Sequence, residues 1–378
     1  MGAAGTRAEA GHLYRGGMPG PARLVVVLCL LVLTACTSGS GTGPQADGPS
    51  SSTAGGSSTA PGNGGPPAPG SITPAPGTVA CDGGDVVDVA DADGLRQALD
   101  AARPGQVIRL GDGRYEGNFV ARAQAGAENP IRLCGSRNAV LDGGDIRGGY
   151  ALHLDGASYW QVLGLTVTGG QKGVVVDSGV GNRIEGLLVT SMGDEAIHLR
   201  RQSTGNVVAG NTIRDTGRRK PKFGEGIYIG SAKTNWCRLT QCEPDRSDGN
   251  VIEGNDIAGT TAESVDIKEG TSNGVLRNNV FDGSGMVKAD SWVDVKGNSW
   301  RIEGNTGRSS PRDGFQVHQV IDDWGRNTDF SRNTAVVDAP GYAINVAGPR
   351  VLQNSTTVSC DNVTDGAGSG VSNVACRG

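Results

Sequence analysis

The nonapeptides "GNVVAGNTI" (205–213) and "GNVIEGNDI" (249–257) are nearly the same string, and the pattern continues. Four later segments keep it: "NGVLRNNVF" (273–281), "SWRIEGNTG" (299–307), "TDFSRNTAV" (328–336) and "PRVLQNSTT" (349–357). Aligned on the second Asn, they place Asn211, Asn255, Asn278, Asn305, Asn333 and Asn354 in one column. Each repeat carries a second short stretch of alternating apolar residues, such as "AIHLR", "GIYIG", "SVDIK", "WVDVK" and "GFQVH". Short strands at a period mostly in the twenties, with Gly and Asn at the turns, describe a parallel β-solenoid. One coil cannot bury its apolar face alone, so coils stack and their inward Val, Ile and Leu form a continuous core. Asn suits the turns because it tolerates left-handed backbone, and stacked amides hydrogen-bond from coil to coil.

The composition agrees. The chain of 378 residues holds 63 Gly and only 4% aromatics, which speaks for many turns and against a large globular core. A formal charge of −5 gives no reason to expect nucleic acid as a partner. The fold is expected over residues 79–378. Before it, "LVVVLCLLVL" (24–33) is too short to span a bilayer but right for the apolar core of a secretion signal. It ends in Leu33-Thr34-Ala35-Cys36, which resembles the lipobox of bacterial lipoproteins; that resemblance implies cleavage before Cys36 and its acylation. Residues 1–35 are thus expected to be a signal, with Met18 an alternative start, and residues 36–78, rich in Gly, Ser, Thr and Pro, a flexible linker. The expected location is the outer face of a cell membrane, as a monomer held by a lipid anchor.

Six cysteines remain in the repeat region, and an even number in an exported chain implies disulfides. Nearness suggests Cys81–Cys134, Cys237–Cys242 and Cys360–Cys376 among the fifteen pairings that six cysteines allow. Zinc is the rival at Cys237 and Cys242, although no His lies near them. The open first coil needs a cover, and "DADGLRQALDAARPGQVIRL" (91–110) supplies a capping Asp and then Leu95, Ala98, Leu99 and Ala102 at helical spacing. The combination resembles the right-handed parallel β-helix proteins: an all-β, single-stranded solenoid with a short N-terminal capping helix. That fold carries lyases, hydrolases, esterases, epimerases and plain adhesins, so function has to be read from the site.

Equivalent residues of neighbouring coils lie about 4.8 Å apart, so aligned strands give spatial columns. One outward column reads His153, Val175, His198, Tyr228, Asp266, Asp294, Gln316, Asn345. Two residues on, it reads Asp155, Asp177, Arg200, Gly230, Lys268, Lys296, His318, Ala347. At the turn before the strand come Glu195, Glu225, Glu263, Ser291 and Asp313. Asp266 stacks on Asp294 and Lys268 on Lys296, which disfavours both columns unless counter-charges intervene. Either the four form a surface checkerboard of ion pairs, each worth little, or carboxylates hold a cation and amines face an anionic substrate.

Function is favoured by the clustering of acid, amine and His318 on one face, beside a basic loop, "TGRRKPKF" (216–223). Trp236, Trp292 and Trp324 lie near the same turns, for sugar stacking or for packing. Cleaving a uronic-acid polymer by β-elimination requires neutralising the carboxylate beside C5 and then removing the C5 proton. The pattern resembles calcium-dependent β-helix polysaccharide lyases. That resemblance implies Lys268 as base, with Asp266 and Asp294 as calcium carboxylates. Lys268 beside Lys296 is expected to have a lowered pKa. The candidate set is therefore Lys268, Lys296 and His318 for catalysis; Arg200, Arg218, Arg219, Lys220, Lys222 and Tyr228 for an acidic polysaccharide; and Glu225, Glu263, Asp266 and Asp294 for calcium. A glycoside hydrolase fits less well, since no "GHG" motif exists. The alternative of another class is a non-catalytic surface module that binds glycan or protein.

Overall fold

The structure, a computed structural model, describes residues 81–348 and 354–378. Three parallel sheets of 11, 10 and 10 strands wind around one axis as a right-handed β-helix of about ten coils. Each coil contributes one short strand to each sheet, often of three residues, as in Val265–Ile267. Strands this short form only because each is hydrogen-bonded to the coil before and the coil after. Leu152, Val174, Ile197, Ile227, Val265, Val293, Phe315 and Ile344 follow one another in register along one inward row, all buried. Full burial of such a side chain stabilises by about 1.5–3 kcal/mol.

The helix Ala92–Asp100 closes the first coil. Asp91 caps it by accepting from the Gly94 N–H at 2.8 Å, and Leu95, Ala98 and Leu99 are its buried face. The disulfides join Cys81 to Cys134, Cys237 to Cys242 and Cys360 to Cys376. The signal segment, the Cys36 lipidation site and the linker all lie outside the described residues. Among those described, no helix is long and apolar enough to cross a membrane.

The Asn column is real but differs at two places. The buried ladder runs Asn211, Asn255, Asn279, Asn305, Asn333, Asn362. Each Asn before the last donates its amide both to the next Asn and to a backbone carbonyl, as Asn305 does to Asn333 and Leu276 at 3.0 and 2.9 Å; Asn362 donates to the Phe330 and Ser359 carbonyls. Asn278 instead takes left-handed backbone (φ 55°) in the turn just before. Asn354 gives way to Asn362 because the last coil carries its strand further along the chain. A second ladder, Asn182, Asn206 and Asn250, lines the preceding turn.

The tryptophans are packing residues. Trp292 is fully buried beside Phe315, and Trp236 and Trp324 are 6% and 8% exposed. The Arg246 guanidinium covers the Trp324 ring at 5.1 Å.

Candidate functional site

Strand parity places the charged columns as the spacing predicts. Tyr228 pairs with Asp266, Asp266 with Asp294, and Asp294 with Gln316, all in register on the outer face of one sheet. Like charges sit at adjacent coils there, and the structure resolves the conflict by interleaving. The Lys296 ammonium reaches across to Asp266 at 2.7 Å and to Asp294 at 2.9 Å, while Lys268 holds the second Asp266 oxygen at 2.9 Å. His318 Nε2 hydrogen-bonds Gln316 at 2.5 Å and lies 3.5 Å from Asp294.

Tyr228, Asp266, Lys268 and Lys296 form the floor of a groove of about 700 Å³. One wall is the loop carrying Arg219, Lys222 and Phe223, together with Lys288 from a later turn. The other is an insert that starts at Ser231 and contains the helix Lys233–Leu239. Buried Asp245 pins this insert by accepting from the Arg201 and Gln202 N–H groups and from the Ser231 and Ser247 hydroxyls, all at 2.7–2.9 Å. Gly230 opens the floor: its φ is +80°, and a Cβ there would meet Thr271 at 2.5 Å. Its carbonyl accepts from His198 Nε2 at 3.0 Å, so His198 Nδ1 carries the lone pair that receives the Lys172 ammonium at 3.1 Å.

Electrostatics divide the floor. Burial pulls the Lys268 and Lys296 ammonium groups down, but Asp266 more than offsets this for Lys268, as Asp266 and Asp294 do for Lys296, and both pKa values end up raised. The mutual lowering expected from their stacking is overridden by the aspartate between them. Burial, then Asp266 and Asp294, push Glu263 up to about 8. Burial and the neighbouring Glu195, Asp266 and Glu263 likewise push Glu225 well above the carboxylate range. Burial and Lys172 bring His198 down to about 4, so it is neutral with both ring nitrogens engaged. Burial and Asp266 raise the Tyr228 phenol. Its ring lies between the His198 ring at 4.4 Å and the Lys268 ammonium at 5.2 Å.

The structure gathers Arg200, Arg219, Lys222, Tyr228, Glu225, Glu263, Asp266, Lys268 and Lys296 around one groove. Arg218 and Lys220 do not line it, and Arg218 lies 3.7 Å from Asp215 instead. Asp294, two residues before Lys296 on the same coil, and His318, one coil further on, do not line it. Arg200 is held by Asp177 at 2.7 Å and by the Tyr150 hydroxyl at 3.1 Å. Sequence reading did not single out Lys172, Asp194, Asp245, Lys288 or Arg238. Asp194 sits in a turn, where strand parity says nothing, and Lys172 opens the strand Lys172–Asp177 at a position of inward parity; Lys172 pairs with Glu195 at 2.6 Å, and Asp194 pairs with Arg219.

Glu225, Glu263 and Asp266 bring carboxylate oxygens within 4.8 Å of one another, a spacing that could hold a metal ion. The donor set does not suit calcium. Both Asp266 oxygens already accept from an ammonium. Glu225, with one buried oxygen unpartnered, and Glu263 then remain, far short of the six to eight oxygens calcium takes. Asp294 is engaged with Lys296 and the Ser291 hydroxyl.

The family described as NosD, periplasmic copper-binding protein, matches residues 112–311 of this chain. Among solved structures, an alginate lyase from Paenibacillus sp. str. FPU-7 is 36% identical, with a TM-score of 0.72 over 78% of this chain and 99% of its own. The pectate lyase Pel9A is 17% identical (TM-score 0.51, 72% of each chain). The Streptococcus pneumoniae surface protein and adhesin PfbA is 13% identical (TM-score 0.52, 77% of this chain and 84% of its own). These last two share the fold alone. No curated protein sequence matches. With more than half of its length matched by that family and nearly the whole of the Paenibacillus chain aligned to it, this chain belongs to the NosD family of parallel β-helix proteins.

Proposed function

We propose that this chain cleaves an alginate-like polyuronate by β-elimination in the groove between its two loop walls. The observation that carries the reading is the pairing of Tyr228 with Lys268 and Lys296 on one open floor. Elimination breaks the C5–H bond and the C4–O4 bond, forms a C4=C5 double bond, and returns a proton to O4. Negative charge builds on the C6 carboxylate meanwhile, and something cationic has to meet it. Lys268 and Lys296, kept as ammonium ions by Asp266 and Asp294, supply that charge.

Lys268, locked in its ion pair, is poorly placed to act as a base. The Tyr228 hydroxyl makes no hydrogen bond among the described residues and is the freer proton carrier. As phenolate it takes the C5 proton, and as phenol it gives one to O4. Likeness to the alginate lyase, at 36% identity, supports the substrate class.

The test is the ultraviolet absorbance of the unsaturated uronate, on polymannuronate, polyguluronate and pectate, with and without chelator. Tyr228→Phe and Lys268→Ala are expected to lose product formation, and Lys268→Arg to keep a measurable part because charge is retained. A fully dead Lys268→Arg beside a partly active Tyr228→Phe would return the base to Lys268. Loss of activity with chelator would restore calcium to the floor. Saturable binding without product would favour the non-catalytic module. We further propose export and lipid anchoring through Cys36; fatty-acid labelling that survives Cys36→Ala would contradict it.

A further inference from the structure

The floor of the groove is internally neutralised. Lys172 is taken by Glu195, Arg200 by Asp177, Arg219 by Asp194, and Lys268 and Lys296 by Asp266 and Asp294. Three cations that line the same groove have no carboxylate partner among the described residues: Lys222, Lys288 and Arg238, all exposed. They come from separate segments yet are held in place. Lys222 rests against the Phe223 ring at 4.6 Å. Thr261 ties the Lys222 loop to the Lys288 turn, its hydroxyl donating to Pro221 at 2.8 Å and its carbonyl accepting from the Lys288 N–H at 2.9 Å. On the opposite wall the Arg238 guanidinium is oriented by Asn235 at 3.1 Å, and the start of its helix is fixed by Glu269, which accepts from the Lys233 N–H at 2.7 Å.

A paired cation in a closed network attracts a distant anion weakly, whereas an unpaired one on a rim sets affinity and its salt dependence. We infer that Lys222, Lys288 and Arg238 are the specificity-determining cations of the groove, binding carboxylates of the uronates that flank the one being cleaved. This rests on the polyuronate reading above and deepens it. The preferred ligand is then an acidic chain long enough to touch both walls, and neutral glycans and acidic disaccharides bind poorly.

The experiment is binding of polymannuronate, measured by calorimetry at low and high salt, for the wild type and the triple variant Lys222→Ala, Lys288→Ala, Arg238→Ala. The charge reversal Lys222→Glu with Lys288→Glu is a second variant on exposed positions that leaves the core untouched. Expected are about tenfold weaker binding in the triple variant, a flatter salt dependence, a raised KM and an unchanged kcat. Binding by both variants equal to the wild type would overturn the inference. A wild type that binds without cleaving would sink the lyase reading and leave the rim standing; a wild type that does not bind polyuronate would sink both.

Discussion

Asp266 shows how one residue organises the site. Two ammonium groups meet on its two oxygens, and that arrangement keeps both lysines charged. Its negative charge also helps hold Glu263 and Tyr228 protonated. Two pH effects follow. Tyr228 must ionise to act, and its pKa is raised, so kcat/KM should climb from neutral to alkaline pH; a profile flat across that range would argue against a phenolate base. Glu263 titrates at about 8 in the fold, against 4.5 ordinarily. Its stabilising contribution is complete below the ordinary value and disappears as pH rises toward about 8. Thermal melts of Glu263→Gln should therefore lose less stability than the wild type between mildly acidic and mildly alkaline pH. An identical loss in both would show that the carboxyl is not held protonated. At this scale the outward columns were legible in the sequence because the middle residues of these short strands alternate their faces. The Lys172–Glu195 and Arg219–Asp194 pairs were not, since Glu195, Asp194 and Arg219 sit in turns and Lys172 opens its strand at a position of inward parity.

At the scale of elements, the insert starting at Ser231 interrupts the repeat with a helix, yet it builds one wall of the groove. Asp245 is fully buried and accepts from four donors. Asp245→Ala should cost at least about 3 kcal/mol and loosen this wall first. Hydrogen exchange should show protection lost in the insert before the coils, and uniform loss would contradict the pinning role. Gly307 is required by close approach, since a Cβ there would sit 2.4 Å from the Trp292 ring. Gly307→Ala should destabilise by about 1–3 kcal/mol through overpacking, measured by denaturant titration. The sequence signalled the strands and the Asn ladder, but placed one rung at Asn278 where Asn279 provides it. Two adjacent asparagines are equivalent to an alignment, and only the turn's left-handed residue tells them apart.

At the scale of the whole molecule, the solenoid is a scaffold that repeats a surface until one stretch of it becomes a groove. Stacking, the capping helix and the end disulfides were all readable, because each follows from period, helical spacing or nearness in the chain. What the repeat does not encode is where the walls rise, and those walls turn a charged face into a site for a polymer. The central claim is elimination, and the most direct measurement is mass spectrometry of oligosaccharides released from polymannuronate in oxygen-18 water. Elimination consumes no water, so the account predicts unsaturated fragments free of the label. Saturated fragments carrying one labelled oxygen at each cut would mean hydrolysis, and would contradict it.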